Sequence, residues 1–179
     1  AAGAHFGHIR EKYNPRMQQF VFGIREGIYL IDLEQTVRGL VAALAYIGEI
    51  KKENKKILFV CTNDNVRDIV RGVAERTGMP HVTGRWPGGM LTNFDTIKKQ
   101  LTKLKKLEAH IDTEAWEAMS KKERLMMSRE IDKLTKVFGG VKELQKVPEV
   151  IFIAGVMSDE TARREATKMG MKIIAIVDT

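Results

Sequence analysis

The segment Arg85-Trp86-Pro87-Gly88-Gly89-Met90-Leu91-Thr92-Asn93-Phe94 sets a cation and an aromatic ring ahead of two glycines, and a helix then opens. Glycines let backbone approach a partner closely. Amides near a helix start at Thr92 offer a place for phosphate, and Asp95 stands where the second member of a capping box belongs. Arg85 supplies charge and Trp86 a stacking surface, although a lone tryptophan is more often a core anchor. A run of lysine against leucine follows: Ile97, Lys98, Lys99, Leu101, Lys103, Leu104, Lys105, Lys106 and Leu107. From Thr96 to Leu107 there is no Asp or Glu. A helix that is merely solvated interleaves both signs to gain pairing between turns. Lys121, Lys122, Glu123, Arg124, Arg129, Glu130, Asp132 and Lys133 do so further on. The acid-free run is therefore expected to face a polyanion, and the later one solvent or protein.

Other chemistry-bearing residues are scattered. His5 and His8, beside Arg10 and Lys12, suit either contact with RNA bases and phosphates or a structural role in pinning the N-terminal arm. Without neighbouring cysteines, and with His81 and His110 far away, they do not suggest a metal site. Open α/β sheets place ligands beyond the C-terminal ends of their strands. Thr62, Asn63 and Asp64, then Ser158 and Asp159, then Asp178 and Thr179 fall at such positions. A nucleotide- or sugar-phosphate-binding enzyme is thus the alternative function. Neither a Gly-x-Gly-x-x-Gly nor a Gly-x-x-x-x-Gly-Lys-Ser/Thr motif supports it, and helix capping is the plainer role for Ser158, Asp159, Asn63 and Asn65. Nothing in the sequence brings a nucleophile, base and orienting acid together. No cofactor is expected.

The elements that must position these residues follow from periodicity. Residues 1–20 are polar, basic and aromatic without a clear period, and read as an irregular arm with a turn at Asn14-Pro15. Gly23 to Gly27 reverses the chain ahead of a strand at Ile28-Tyr29-Leu30-Ile31. Val37, Leu40, Val41, Leu44 and Ile47 recur at helical spacing up to about Lys52. A strand at Ile57–Val60 precedes a helix with Val66, Ile69, Val70 and Val73 on its apolar face, closed by Gly78. Late in the chain come a strand at Val150–Ala154, a helix from Glu160 to Met169 and a strand at Ile173–Val177. Alternating strands and helices predict an α/β fold: an open, largely parallel, Rossmann-like (flavodoxin-like) sheet flanked by helices. Between its halves, Ile97, Leu101, Leu104 and Leu107 form one coiled-coil seam, and Met127, Ile131, Leu134 and Phe138 another. They predict an inserted antiparallel coiled-coil hairpin that projects from the sheet, its second helix capped by Ser120 and Glu123 and ended by Gly139-Gly140. The expected organisation is an arm over 1–20, an α/β domain over 21–91 and 147–179, and the hairpin over 92–146.

At 179 residues and a net charge of +7, with a pI near 9.5, the chain suits one well-buried domain with an acidic partner. The single cysteine, Cys61, cannot form an internal disulfide and lies in the apolar run Ile57-Leu58-Phe59-Val60, so a buried, inert thiol in a reducing compartment is expected. No stretch approaches the length of a membrane span.

Four blocks carry a resemblance. They are Gly3-Ala4-His5-Phe6-Gly7-His8 with Asn14-Pro15-Arg16-Met17 and Phe22-Gly23-Ile24-Arg25-Glu26-Gly27-Ile28; the Arg85–Phe94 segment; Phe138-Gly139-Gly140-Val141-Lys142; and Ile176-Val177-Asp178-Thr179. In this order they resemble the S-two family of small-subunit ribosomal proteins, in its bacterial and organellar form. The resemblance implies a non-catalytic constituent of the small ribosomal subunit that binds small-subunit rRNA. It also implies neighbouring ribosomal proteins as partners, including in bacteria the large mRNA-binding one, and so support of assembly and translation initiation. The place implied is the ribosome of a bacterial cytoplasm, or else of a mitochondrion or plastid. It further implies a chain that continues past Thr179. RNA contact is expected at His5, His8, Asn14, Arg16, Arg25, Arg85, Trp86, Asn93 and Lys98 from the matching motifs. Lys99, Lys103, Lys105 and Lys106 join them from charge pattern alone. Where family members read Gly-Thr-Lys after the strand Ile57–Cys61, this chain has Thr62-Asn63-Asp64, which weakens RNA contact at that edge.

Overall fold

The computed structural model describes residues 3–111 and 113–179. Its contacts divide the chain into two units: Ala1–Lys55 with Ile176–Thr179, and Lys56–Ala175.

In the first unit, β1 (Phe6–Ile9), β2 (Val21–Arg25) and β3 (Ile28–Ile31) form an antiparallel sheet in the order β1-β3-β2. The stretch expected to be irregular thus contains a strand, followed by two short 3₁₀ segments at Arg10–Lys12 and Pro15–Phe20. The hairpin between β2 and β3 turns on Glu26 and Gly27, with φ of 52° and 80°. Two successive positive φ angles make the turn whose twist matches the flanking strands. Helix α1 (Leu33–Lys52) follows, its first turn capped by the Asp32 carboxylate, which accepts from the amides of Glu34 and Gln35 at 2.9 and 3.4 Å. The side chain of Gln35 also donates to Asp32, and this bond leads in holding the carboxyl below its usual range. The apolar stripe of α1 is not core: Val37, Leu40, Val41 and Leu44 stand exposed. Periodicity identifies a face that would gain from burial, but not an element that covers it.

The second unit carries the parallel sheet. β4 (Ile57–Val60), β5 (His81–Val82), β6 (Val150–Ile153) and β7 (Lys172–Ala175) pair in the order β5-β4-β6-β7, all parallel. The two central strands are continuous apolar runs, as expected of strands covered on both faces. Leu58, Val60, Ile151 and Ile153 are fully buried. Helix α2 (Arg67–Thr77) packs on β4 and β5, and α6 (Glu160–Lys168) on β7. Gly78, with φ of 64°, ends α2 in the left-handed conformation that glycine adopts without strain.

Between the sheet halves lie α3 (Phe94–Glu108), the short α4 (Glu114–Ala118), which the sequence does not announce, and α5 (Lys121–Phe138). The Ser120–Glu123 capping box forms as expected. α3 and α5 pack on each other, but they do not stand clear of the sheet. Ile97, Leu101, Leu104, Ile131 and Phe138 join Leu58, Val60, Val82 and Ile151 in one hydrophobic core. The seams therefore meet each other and also join the core that covers the sheet.

The turn after α5 shows why its second glycine is needed. A Cβ on Gly140 would overlap the carbonyl oxygen and imidazole of His81, the first residue of β5, whereas one on Gly139 would meet only the Thr135 methyl at 3.3 Å. Backbone cannot yield as a flexible side chain does, so Gly140→Ala is expected to cost about 1–3 kcal/mol, with Gly139→Ala well below that. Urea midpoints of the two variants against the parent check this ranking.

Candidate nucleic-acid interface

The outer face of α3 is fixed by its inner one. Burial of Ile97, Leu101 and Leu104 turns Asp95, Lys98, Lys99, Thr102, Lys103 and Lys106 outward, where they line one open groove. The acid-free run is not acid-free in three dimensions. The ammonium of Lys103 is paired with Glu130 of α5, and that of Lys105 lies 2.8 Å from Glu143 Oε2. Glu143 is held below the usual carboxylate range by the hydrogen bond from Lys105 and then by its charge. At the helix end, Glu108 pairs with Lys142. Lys98, Lys99 and Lys106 have no carboxylate partner among the described residues. Sequence spacing along one helix cannot show which acids a neighbouring helix brings across. Five candidate lysines thus become three uncompensated ones.

The segment ahead of α3 is organised by a residue that sequence reading missed. The Glu165 carboxylate, half-buried on α6, accepts five hydrogen bonds from residues 86–92. Oε1 receives the Trp86 indole N–H at 3.1 Å and the Gly89 amide at 2.9 Å. Oε2 receives the Leu91 amide at 3.0 Å, and the Thr92 amide and hydroxyl, both at 3.2 Å. Two expectations are corrected here. Trp86 is only 9% exposed, so its ring is a core anchor rather than a stacking platform for bases. The amides expected to receive phosphate already bind an anion, the protein's own carboxylate. Nor does Thr92 cap α3: Asn93 holds the N-cap position without a side-chain cap bond, and its Oδ1 accepts from the Thr96 hydroxyl. Gly89, with φ of 82°, makes the turn possible. Arg85 remains exposed beside it. No local pattern in Glu160–Lys168 marks Glu165, because all of its partners lie more than seventy residues back.

The remaining candidates lie in the first unit. The His8 amide donates to Thr179 Oγ1 at 2.7 Å, and its Nδ1 lies 3.5 Å from Asp178 Oδ1. Gly7 is packed so closely on Thr179 that a Cβ would collide with its side chain. His8 is therefore engaged in tying β1 to the segment after β7, the structural of its two expected roles. His5 is half-buried, its ring 4.1 Å from that of Phe6. Asn14 Oδ1 accepts from the Arg16 amide and caps the 3₁₀ segment Pro15–Phe20. The Arg16 side chain is exposed, and Arg25 is exposed 3.9 Å from Glu26. Of the thirteen candidates, Lys98, Lys99, Lys103 and Lys106 line one surface groove together.

Polar groups at the C-terminal edge of the parallel sheet are engaged with each other. Both oxygens of the buried Asp159 accept from the Thr62 amide, at 3.2 and 3.3 Å. Asp159 starts α6 without the capping bond expected of it. Burial pushes its carboxyl up, against the opposing bonds from Thr62. Ser158 donates to the Gly155 carbonyl and Asn63 accepts from the Asn65 amide, turn bonds in place of the helix caps expected of them, and Val66 holds the N-cap position of α2 without a side-chain cap. Cys61 is fully buried, and burial raises its thiol. Among the described residues, no three metal-ligating side chains converge and no helix is long and apolar enough to cross a membrane.

The described residues form a parallel α/β platform bearing a cationic helix. Comparison with known proteins makes this specific. The family model described as Ribosomal protein S2 matches residues 1–179. The chain is 44% identical to Small ribosomal subunit protein uS2 of Cytophaga hutchinsonii over 178 residues, which cover 99% of this chain and 70% of that one. It is 43% identical to the proteins of the same name from Nocardia farcinica and Geotalea uraniireducens, covering 62% and 70% of their lengths. The chain belongs to the ribosomal protein S2 family, which is structural and non-enzymatic. The enzyme alternative has no support.

Glu165 gives this loop a pH signature. Burial raises its carboxyl, but the bonds from Leu91, Trp86, Gly89 and Thr92 outweigh burial and hold it below the ordinary 4.5. A carboxyl depressed in the folded state stabilises fully above its unfolded pKa, and that stability is lost as pH falls through the folded value. Glu165→Gln is expected to flatten this acid limb. Glu165→Ala is expected to cost about 2 kcal/mol or more at neutral pH, since it strands buried donors. Urea unfolding across a pH series checks both, and an acid limb unchanged in Glu165→Gln would contradict the assignment.

Proposed function

We propose that the chain serves the small ribosomal subunit as a structural, rRNA-binding constituent, with the outer face of α3 as its principal RNA contact. Family membership along the full chain supports the ribosomal place. The observation that carries the RNA contact is the set of uncompensated lysines, Lys98, Lys99 and Lys106, on one helical face. Lysines that neutralise phosphates release counterions, and this drives association without base-specific contacts. Lys103 and Lys105 are demoted to secondary roles, because a phosphate approaching them also meets Glu130 or Glu143. Arg85, Asn93, Arg16 and Arg25 stay as secondary candidates, their exposure compatible with phosphate contact. His5 and Asn14 rank lower, and His8 and Trp86 lowest, because their polar groups already serve the fold.

The parallel sheet is a rigid platform, and neighbouring small-subunit proteins complete its surroundings. The relatives named above are bacterial, which favours a bacterial-type ribosome and, with it, docking of the large mRNA-binding ribosomal protein and support of initiation.

Co-sedimentation with small subunits depleted of their own S2 protein tests the reading. Stoichiometric, saturable recovery in the subunit peak that survives moderate salt is expected. Recovery that never saturates and vanishes with modest salt would reduce the chain to a basic protein with generic attraction for RNA.

A further inference from the structure

The groove on α3 contains one neutral side chain, Thr102, whose hydroxyl is hydrogen-bonded within the helix. Lys98, Thr102 and Lys106 are spaced four residues apart, so they form a single row on the helix surface. Each lies about 6 Å further along the axis, at 1.5 Å rise per residue. Thr102 is exposed between the two lysines, and its hydroxyl donates to the Lys98 carbonyl at 2.9 Å. Its proton is thereby committed to the helix, and the oxygen faces outward as an acceptor only.

That matters because phosphates only accept hydrogen bonds. A nucleic-acid backbone offers one donor, the ribose 2′-hydroxyl, which is also the group that separates RNA from DNA. The groove has no aromatic lining on which an unpaired base could stack. Nearby rings are turned inward: Trp86 is buried, and Phe94 is partly buried against the core. The wide, shallow minor groove of A-form RNA displays ribose hydroxyls flanked by phosphates, the alternation of donor and anion that this row complements. Asp95, one turn before Lys98, puts a negative charge at the N-terminal end of the groove and ends the phosphate track there.

Resting on the RNA-binding reading of this face, the geometry points to the backbone edge of a base-paired RNA segment as the ligand of α3. Lys98, Lys99 and Lys106 meet phosphates, and Thr102 accepts from an intervening 2′-hydroxyl. Recognition is of shape and sugar, not of sequence.

The test measures binding of the whole chain to three probes of equal length: an RNA hairpin, a DNA hairpin of the same sequence, and unpaired oligoadenylate. The RNA hairpin is expected to bind tightest. Thr102→Val is expected to lower the RNA-over-DNA ratio about three- to tenfold, the worth of one hydrogen bond, with the salt slope unchanged. Thr102→Ser, which keeps the hydroxyl, is expected to retain the ratio and so separates lost contact from altered helix. Replacing Lys98, Lys99 and Lys106 together by Gln is expected to lower the slope of log K against log salt by about 2 to 3 for both hairpins. A ratio unmoved by Thr102→Val, or oligoadenylate bound as tightly as the RNA hairpin, overturns this inference while leaving RNA binding standing. A chain that binds none of the three probes overturns the RNA-binding reading itself.

Discussion

One carboxylate holds together the part of the molecule on which the cationic helix depends. Glu165 reaches from α6 to gather an indole, three amides and a hydroxyl from residues 86–92. A charge taken partly out of water is costly unless hydrogen bonds replace its hydration, and five donors do so here. The direction in which α3 leaves this loop, and hence which lysines face outward, follows from that anchor and from burial of Ile97, Leu101 and Leu104. The two glycines have their place in the same arrangement. Gly89 supplies the positive φ of the turn, and its amide is one of the donors.

Cationic character alone does not choose the binding face. An exposed ion pair contributes little to stability, commonly under about 1 kcal/mol. Its larger consequence here is local neutrality. Glu130 and Glu143 cancel the charge of Lys103 and Lys105, and a phosphate drawn toward either lysine is repelled by the acid beside it. Lys98, Lys99 and Lys106 have no such ion pair, although Lys103 lines the same groove. Neighbouring segments have thus divided the lysines of one basic helix into compensated and uncompensated ones.

Much of this was legible in the sequence. The buried parallel strands at Ile57–Val60 and Val150–Ile153, the Ser120–Glu123 capping box and the left-handed stop at Gly78 each rest on a pattern confined to a few neighbouring residues. What was not legible depends on distant residues meeting. The five-fold coordination of Glu165, the pairing of Lys105 with Glu143 and the bond from Thr62 to Asp159 join positions 38 to 97 residues apart. Periodicity in α3 and α5 marks apolar seams, yet it does not say that they meet the sheet's core as well as each other. Trp86 and His8 show the same limit, since residue types suited to nucleic acid are equally suited to anchoring a loop or a strand.

The central claim is that uncompensated charge on α3, rather than lysine content, sets RNA affinity. The most direct measurement compares two double variants, Lys98→Gln with Lys99→Gln and Lys103→Gln with Lys105→Gln, for retention on small subunits depleted of their S2 protein. Both remove the same formal charge from the same helix. A marked loss is expected for the first pair, with a smaller salt slope, and a much smaller loss for the second. Equal losses, or a greater loss from the Lys103 and Lys105 pair, would contradict it.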